Sequence, residues 1–498
     1  MNTRTTSVAP GGASAPARAR HTGPMALVMA TELRLLRADA AFWIVLALML
    51  ASVCYGVAAG VRHWQAQAAL VAAAQADEQL RLGTLRSKLD DVSAGRAVPA
   101  GPFRDPRSAL WVGLTHAAAP VAFSPGPLAV AAVGLSDLHP ATVKVSARTK
   151  DEFLFADEIR NPTHLLAGAV DLAFVLVFVL PLAVLALTYN LVSSEREQGT
   201  LTLTACTGAD LRRVLLAKLL VRAGLPLGVT LLAMVAALVV ASGPAVLAWP
   251  LAGLLLATAL YAACWALLAA AVNSRGHDSA HNALALSAAW IVLVLVLPAA
   301  VNTAADTLFA VPSRAEMVLA VRGASIDSDR ARDATLARYR EEHPQAQPDE
   351  LQRGSPRERV ARRLAAVDAS ALRVQAVVAR HDAQLARRQA LVDRLAYLSP
   401  ALLLQLAATD LAGTGGGAYA DFYARVDRFH AHWRDFFLGR ARANLPLTAA
   451  DYAAFPRFAS QAPTAEAAAV APRLAGLALL VAGLGLLAWR GLRRSERG

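Results

Sequence analysis

The sequence predicts an all-α membrane bundle of six transmembrane helices, with two large, mainly helical insertions on the extracytoplasmic side. Three features support this fold class: six long apolar runs, few charged residues, and basic residues concentrated in the short connections. Of the 498 residues, 56% are hydrophobic and only 17% are charged, whereas about 25% are charged in an average soluble domain. The charged residues lie mainly between the apolar runs, as in a membrane protein with soluble insertions.

Each apolar run is about long enough to cross a bilayer, whose hydrocarbon core of ~30 Å requires ~20 residues in a helix. Pro181 and Pro226 lie inside two of the runs and are tolerated there as kinks. The first run is long enough to stay in the protein as a signal anchor, so no cleaved secretory signal is expected. The third and fourth spans are joined by the short turn 242–244, which makes them a tight hairpin. The predicted spans are residues 41–61, 165–190, 219–241, 248–272, 283–301 and 474–489.

Lysine and arginine residues indicate the orientation of the spans. They are frequent in residues 1–40, in the loop 191–218 and in the tail 490–498, and absent from the turn 242–244. Because short cytoplasmic segments carry an excess of basic residues, both termini and the loops 191–218 and 273–282 are expected in the cytoplasm, with the chain in a bacterial inner membrane. The formal net charge of +12 then follows from membrane topology and requires no nucleic-acid partner.

The first extracytoplasmic insertion is expected at 62–164. Its first part, 64–92, reads as a helix that continues the first span and ends before a group of prolines. Residues 128–135 and 142–147 have the alternation or the β-branched content of short strands. The fold class therefore allows a small β content in this insertion.

The second extracytoplasmic insertion is expected at 302–473. Residues 314–342 and 349–397 combine Ala, Arg, Glu and Leu at helical spacing, which predicts long amphipathic helices. Their apolar stripe is expected to pack in a core, and the alternative is a partner-binding face. The glycine-rich run 413–417 is expected as a flexible loop, on the wrong side of the membrane for a nucleotide. The stripe consists of Leu364, Val367, Ala371, Val374 and Val378.

The sequence contains no recognisable catalytic site. The phosphate-binding pattern GxxxxGK[ST], the metalloprotease pattern HExxH and the hydrolase pattern GxSxG are all absent. The three cysteines form no CxxC motif, and His430 and His432 are two residues apart on a predicted helix, so they point to different faces. We therefore expect neither an enzyme nor a metal or cofactor bound by this chain.

Asp171 is the one ionisable residue well inside an apolar run. A carboxylate is costly in the membrane interior and often has a functional role there, which makes Asp171 a candidate residue of a transport path. It is also about six residues from the end of its predicted span, or ~9 Å of helix rise. The alternative is therefore that Asp171 reaches interfacial water or pairs with a neighbouring helix.

The most specific segment is the predicted cytoplasmic loop between the second and third spans. A charged motif with a glycine comes first, and the amphipathic stretch 211–218 then returns to the membrane. The motif is Ser194-Glu195-Arg196-Glu197-Gln198-Gly199-Thr200-Leu201. By itself such a loop is either a compact docking element or a solvated loop with basic residues at the lipid surface.

This motif resembles the E-x-E-x-G-T-L element of the ABC-2 type permeases, which are the membrane subunits of ATP-binding-cassette exporters. The resemblance implies that the motif is the coupling helix that docks on the ATPase subunit. It also implies that residues 31–37 belong to the interfacial elbow helix of that family, with Glu32, Arg34 and Arg37. The residues implied to contact or position the ATPase are Glu195, Arg196, Glu197, Gln198, Gly199, Thr200 and Leu201.

The resemblance implies a permease subunit that couples ATP hydrolysis, by a separate cytoplasmic ATPase that binds ATP and Mg, to export or to other extracytoplasmic work. The implied partners are that ATPase, a second permease copy or a related permease, and the lipid bilayer. The two large insertions resemble those of a subgroup of this family that has a domain of unknown function. The segments that carry this resemblance are 161–162, 339–344, 398–405 and 410–414. The alternatives are a membrane sensor or scaffold with ligand- or partner-binding external helices, and an intramembrane enzyme.

Overall fold

The computed structural model describes residues 24–148, 170–200, 210–310 and 356–495, with isolated residues between 311 and 355. In these parts the chain is predominantly helical. The main helices are α1 (Pro24–Ala38), α2 (Ala40–Ser93), α3 (Leu172–Glu197), α4 (Arg212–Ser242), α5 (Trp249–Asn273), α6 (Ser279–Leu308), α7 (Pro356–Leu395), α8 (Pro400–Ala412), α9 (Gly416–Arg442), α10 (Ala449–Ala453) and α11 (Ala467–Ser495).

Within the described ranges, six helices are long and apolar enough to cross a membrane: α2 to α6 and α11. Each predicted apolar run overlaps one of them, which confirms a helical chain with six candidate spans. Most of the predicted helix 314–342 lies outside the described residues, and so does Leu201 of the loop motif. Helix α2 runs unbroken through the first span and the predicted continuation 64–92, as the sequence indicated.

Helices α3 and α5 form the centre of the bundle. Helix α5 packs against α3, α6, α8 and α11, while α2 packs against α3 and α4. We call the end of the bundle that carries 62–148 and 356–466 the insertion side. The opposite end, which carries Ser193–Thr200 and 274–278, is the loop side. Gly243, with a φ of +73°, ends α4 on the insertion side and turns the chain toward α5, as predicted.

Three candidate spans contain a π-helical turn just before a Leu-Pro pair. Proline has no amide N–H, so a carbonyl about one turn earlier loses its helical partner and the helix widens there. In α3 the Tyr261 hydroxyl donates to Val177 O at 2.8 Å. In α6 the Ser399 hydroxyl donates to Leu293 O at 2.7 Å. The π turns and their prolines are Val175–Val179 with Pro181, Leu220–Gly224 with Pro226, and Ile291–Val296 with Pro298.

Helix α8 is short, apolar and packed between α5 and α11, so it lies beside candidate spans. A Cβ at Gly253 of α5 would lie 2.8 Å from Leu411, and one at Gly476 of α11 would lie 3.2 Å from Leu403. The absence of side chains at both glycines permits this close approach. The sequence predicts that residues 302–473 are extracytoplasmic throughout. It does not predict that α8, which belongs to this range, packs among the apolar helices.

Two glycines of α2 allow other segments to pack directly on its backbone. A Cβ at Gly56 would lie 2.9 Å from Leu172 Cα, and one at Gly60 would lie 2.0 Å from Val130 O. The first contact brings the start of α3 against α2. The second brings residues 128–135 onto the insertion-side end of the first apolar run, at a spacing of small residues that is common where membrane helices pack.

The predicted strand at 128–135 is wrong. This segment is a series of turns closed by local bonds such as Ala131 N to Leu128 O at 2.9 Å. Its apolar side chains are buried because the segment packs on α2 and α3. A buried segment of any conformation is rich in apolar residues, so its sequence resembles that of a strand. The second predicted strand is confirmed in part: β2 (Thr142–Val145) pairs antiparallel with β1 (Ala119–Ala122).

A second hydrophobic core lies on the insertion side. It joins the far part of α2, the small sheet, the start of α7, and helices α9 and α10. Leu364 and Val367 of the predicted apolar stripe are buried in it, and Val374 and Val378 form a smaller buried cluster. The core interpretation of the stripe is confirmed for these four residues. The two insertions therefore fold against each other.

Candidate functional site

The loop side brings together α1, the end of α3 and the start of α4. Helix α1 has a polar and an apolar face; Leu36 is buried with Phe42, Leu187 and Val221. A turn at Asp39 separates α1 from α2, and the Asp39 carboxylate caps α2 by accepting from Ala41 N at 2.9 Å. The predicted elbow helix thus packs against α4 at the entrance to the first candidate span.

A group of four charged side chains, two of them buried and two partly buried, connects these elements. Lys218 of α4, with 4% of its side chain exposed, pairs with Glu195 and lies 3.4 Å from Glu32 Oε1. Arg222, one turn further along α4, donates to Glu32 Oε2 at 2.9 Å and to Asn190 Oδ1 at 2.9 Å. Two carboxylates and two cations balance each other, as buried charges require. We call these four residues the charge cluster.

The end of α3 is also tied to the α5–α6 connection. Asn273 accepts from Val192 N at 3.3 Å and donates to Thr188 O at 3.2 Å. The hydroxyls of Ser193 and Ser279 are 2.8 Å apart, and Glu197 Oε1 accepts from Ser279 N at 2.6 Å. The Glu197 carboxylate thereby binds the N-terminus of α6, where the helix dipole favours an anion.

The motif residues divide into two groups by exposure. Glu195 is partly buried and belongs to the charge cluster, whereas Arg196, Glu197, Gln198 and Gly199 are exposed at the tip of the loop side. Gly199 has a φ of +70° and ends the short helix Ser193–Glu197, a conformation that favours glycine. The exposed group, 196–199, is here called the tip.

The predicted elbow residues are also divided. Glu32 is in the charge cluster, while Arg34 and Arg37 are exposed on α1. Lys218 and Arg222 are not among the site residues that the sequence predicted. Their spacing of four along a helix places two cations on one face, and this pattern was the available signal.

Asp171 lies at the insertion-side start of α3 and caps it. Its carboxylate accepts from Phe174 N at 2.8 Å and from Val133 N at 2.7 Å, and the residue is buried. It therefore anchors the turn segment 128–135 to α3. These contacts describe a structural role, and a role in a transport path stays a prediction. Within the described ranges, no group of three His, Cys, Asp or Glu side chains could hold a metal ion.

Comparison with protein families gives a match to a domain of unknown function, DUF3526, over residues 314–461. The match covers the described helices α7 to α10 and hence much of the second insertion. It does not extend to the charge cluster or the tip. A comparison with curated proteins gives no match.

Proposed function

We propose that this chain is the membrane subunit of an ATP-binding-cassette exporter in a bacterial inner membrane. A separate cytoplasmic ATPase, carrying ATP and Mg, would dock on the tip. The observation that supports this most directly is the arrangement of the loop side: an exposed tip lies on the charge cluster, which joins it to α1 and α4. A solvated loop would not need such an attachment.

The same contacts provide a route for movement. A displacement of the tip acts on Glu195, which is paired with Lys218 of α4, and Lys218 and Arg222 both contact Glu32 of α1. Helix α4 packs along α2, whose 54 residues correspond to a rod of ~80 Å at 1.5 Å per residue. Because α2 continues without a break into the second core, motion at the loop side would reach the insertions.

The proposed complex contains two copies of this chain, or one copy with a related permease, because an ATPase dimer offers two docking sites. The insertions would then receive, gate or release the substrate. The DUF3526 match over 314–461 supports the resemblance to a subgroup with a domain of unknown function in that region. The alternative function, a membrane sensor or scaffold, would need no ATPase.

The test is co-purification with an ABC ATPase from the same genome, starting with any ATPase with Walker motifs that is encoded beside this gene. Arg196→Glu combined with Gln198→Glu changes the formal charge of the tip from 0 to −3 without removing a member of the charge cluster. The matched control is Arg37→Glu, an exposed reversal on α1. We expect the tip variant to lose ATPase binding and stimulated hydrolysis while the control keeps both. Full retention by the tip variant, or no association of the wild-type chain, would refute the proposal.

A further inference from the structure

The ends of α4 and α11 meet on the loop side around the indole ring of Trp489. The guanidinium carbon of Arg212, at the start of α4, lies 4.6 Å from the centre of this ring. That of Arg493, one turn after Trp489 on α11, lies 5.5 Å from the same centre. A Cβ at Gly491 would overlap Ser274 Oγ, so the end of α11 packs closely on the α5–α6 connection. One aromatic ring therefore positions two cations from different helices. We call Arg212, Trp489 and Arg493 the α4–α11 corner.

Further basic residues surround the α4–α11 corner. Arg213 and Arg490 lie beside its members in the chain, and both are exposed. Asp210 caps α4 by accepting from Arg212 N at 3.0 Å, and its carboxylate lies 3.7 Å from Arg213 Nε. In the part of the chain that the structure describes, no carboxylate forms an ion pair with Arg490 or Arg493. Guanidinium groups bind phosphate through parallel hydrogen bonds, so the corner suits an anion that carries a phosphate.

Exposed apolar surface borders the α4–α11 corner on both helices. Leu216 lies one turn after Arg212 on α4, and Leu486 lies one turn before Trp489 on α11; they are 49% and 59% exposed. Both leucines belong to candidate spans, so the exposed surface changes from apolar to basic within about one turn of each helix. Tryptophan and basic side chains are frequent where the hydrocarbon core meets the head groups. A phospholipid has the same order, because its acyl chains begin directly below its phosphate.

We propose that the α4–α11 corner binds the phosphate of an anionic phospholipid. Arg212 and Arg493 would donate to its phosphate oxygens, and its acyl chains would lie along Leu216 and Leu486. A soluble phosphate compound or an acidic protein surface could pair with the arginines, but neither would cover the exposed leucines of two candidate spans. The proposal goes beyond the coupling function and does not depend on it, because lipid binding requires neither the tip nor an ATPase.

Native mass spectrometry of the purified full-length protein in detergent tests the proposal. The probes are dioleoylphosphatidylglycerol and dioleoylphosphatidylcholine, which share their acyl chains and phosphate and differ in the charge of the head group. We expect phosphatidylglycerol to bind about tenfold more tightly. Glycerol 3-phosphate, which has the phosphate but no acyl chain, should not compete at equal concentration. Equal affinity for the two lipids, or displacement by glycerol 3-phosphate, would overturn the proposal.

Two pairs of arginines provide matched variants. Arg212→Gln with Arg493→Gln removes the cations of the α4–α11 corner, and Arg213→Gln with Arg490→Gln removes two exposed cations beside it. The formal charge falls equally in both, so the general attraction for anionic lipid falls equally. We expect the corner variant to bind phosphatidylglycerol about tenfold more weakly than the control variant. Equal affinities of the two variants would refute the site.

Trp489→Leu separates the effect of the ring from that of the charge. It keeps the formal charge and an apolar side chain but removes the ring that positions both guanidinium groups. We expect the affinity for phosphatidylglycerol to fall about threefold, and an unchanged affinity would refute the positioning role. The corner variant should keep the ATPase association of the wild-type chain. Loss of that association with unchanged lipid affinity would assign the corner to a protein partner and overturn the proposal.

Discussion

Lys218 is the residue on which the charge cluster depends, and Lys218→Met removes its charge while keeping its aliphatic length. Breaking a buried ion pair by removing one partner costs about 3–5 kcal/mol. The lower end applies here, because Glu32 keeps Arg222 at 2.9 Å and Glu195 is 27% exposed. We therefore expect Lys218→Met to lower the free energy of unfolding by about 3 kcal/mol. The measurement is SDS-induced unfolding in mixed micelles, followed by tryptophan fluorescence.

A double-mutant cycle shows whether the effect comes from the pair. Glu195→Gln in the Lys218→Met background removes the unpaired charge, so the double variant should be more stable than the sum of the single effects by ~1 kcal/mol or more. Arg213→Met is the control, because this side chain is 73% exposed and surface changes stay within about 0.5 kcal/mol. Additive effects in the cycle, or a Lys218→Met effect as small as the control, would refute the reasoning.

Two further predictions concern single buried groups. Ser399→Ala removes the donor to Leu293 O and should destabilise the protein by about 1–3 kcal/mol in the same unfolding assay; an unchanged midpoint would show that this carbonyl has another partner. Burial raises the pKa of the Glu78 carboxyl above its usual 4.5. At neutral pH the ionised Glu78 therefore lowers the free energy of unfolding. Wild type should therefore gain thermal stability relative to Glu78→Gln as the pH falls toward 4.5, and a pH-independent difference would contradict this assignment.

Local sequence patterns predicted the helical elements well. Six apolar runs are visible without tertiary information because a helix that crosses a membrane must satisfy its own backbone hydrogen bonds and present apolar side chains. The continuation of α2 through 64–92 follows from uninterrupted helix-forming residues, and its end follows from the prolines after it. The motif 194–201 could likewise be singled out from its charged residues and its glycine alone, and its docking role stays a prediction.

Contacts between distant segments were not predictable in this way. The apolar segment 128–135 has a strand-like pattern, but its burial against Gly60 of α2 holds it in turns. Helix α8 reads as part of an insertion, but its apolar face, two facing glycines and the bond from Ser399 to Leu293 O place it among the candidate spans. In both cases the partner is far away in the chain, so periodicity carries no information about it.

The sequence by itself determined the number of candidate spans and their approximate places in the chain, because these depend on residues that are adjacent in the chain. The tertiary structure decided which of the described motif residues are buried and which are exposed. It placed Glu195 in the charge cluster with Glu32, Lys218 and Arg222, and it left residues 196–199 exposed. Charged residues look alike in a sequence. Whether one of them is buried or exposed depends on the energy of burying charge, which the packing of α1 against α4 sets.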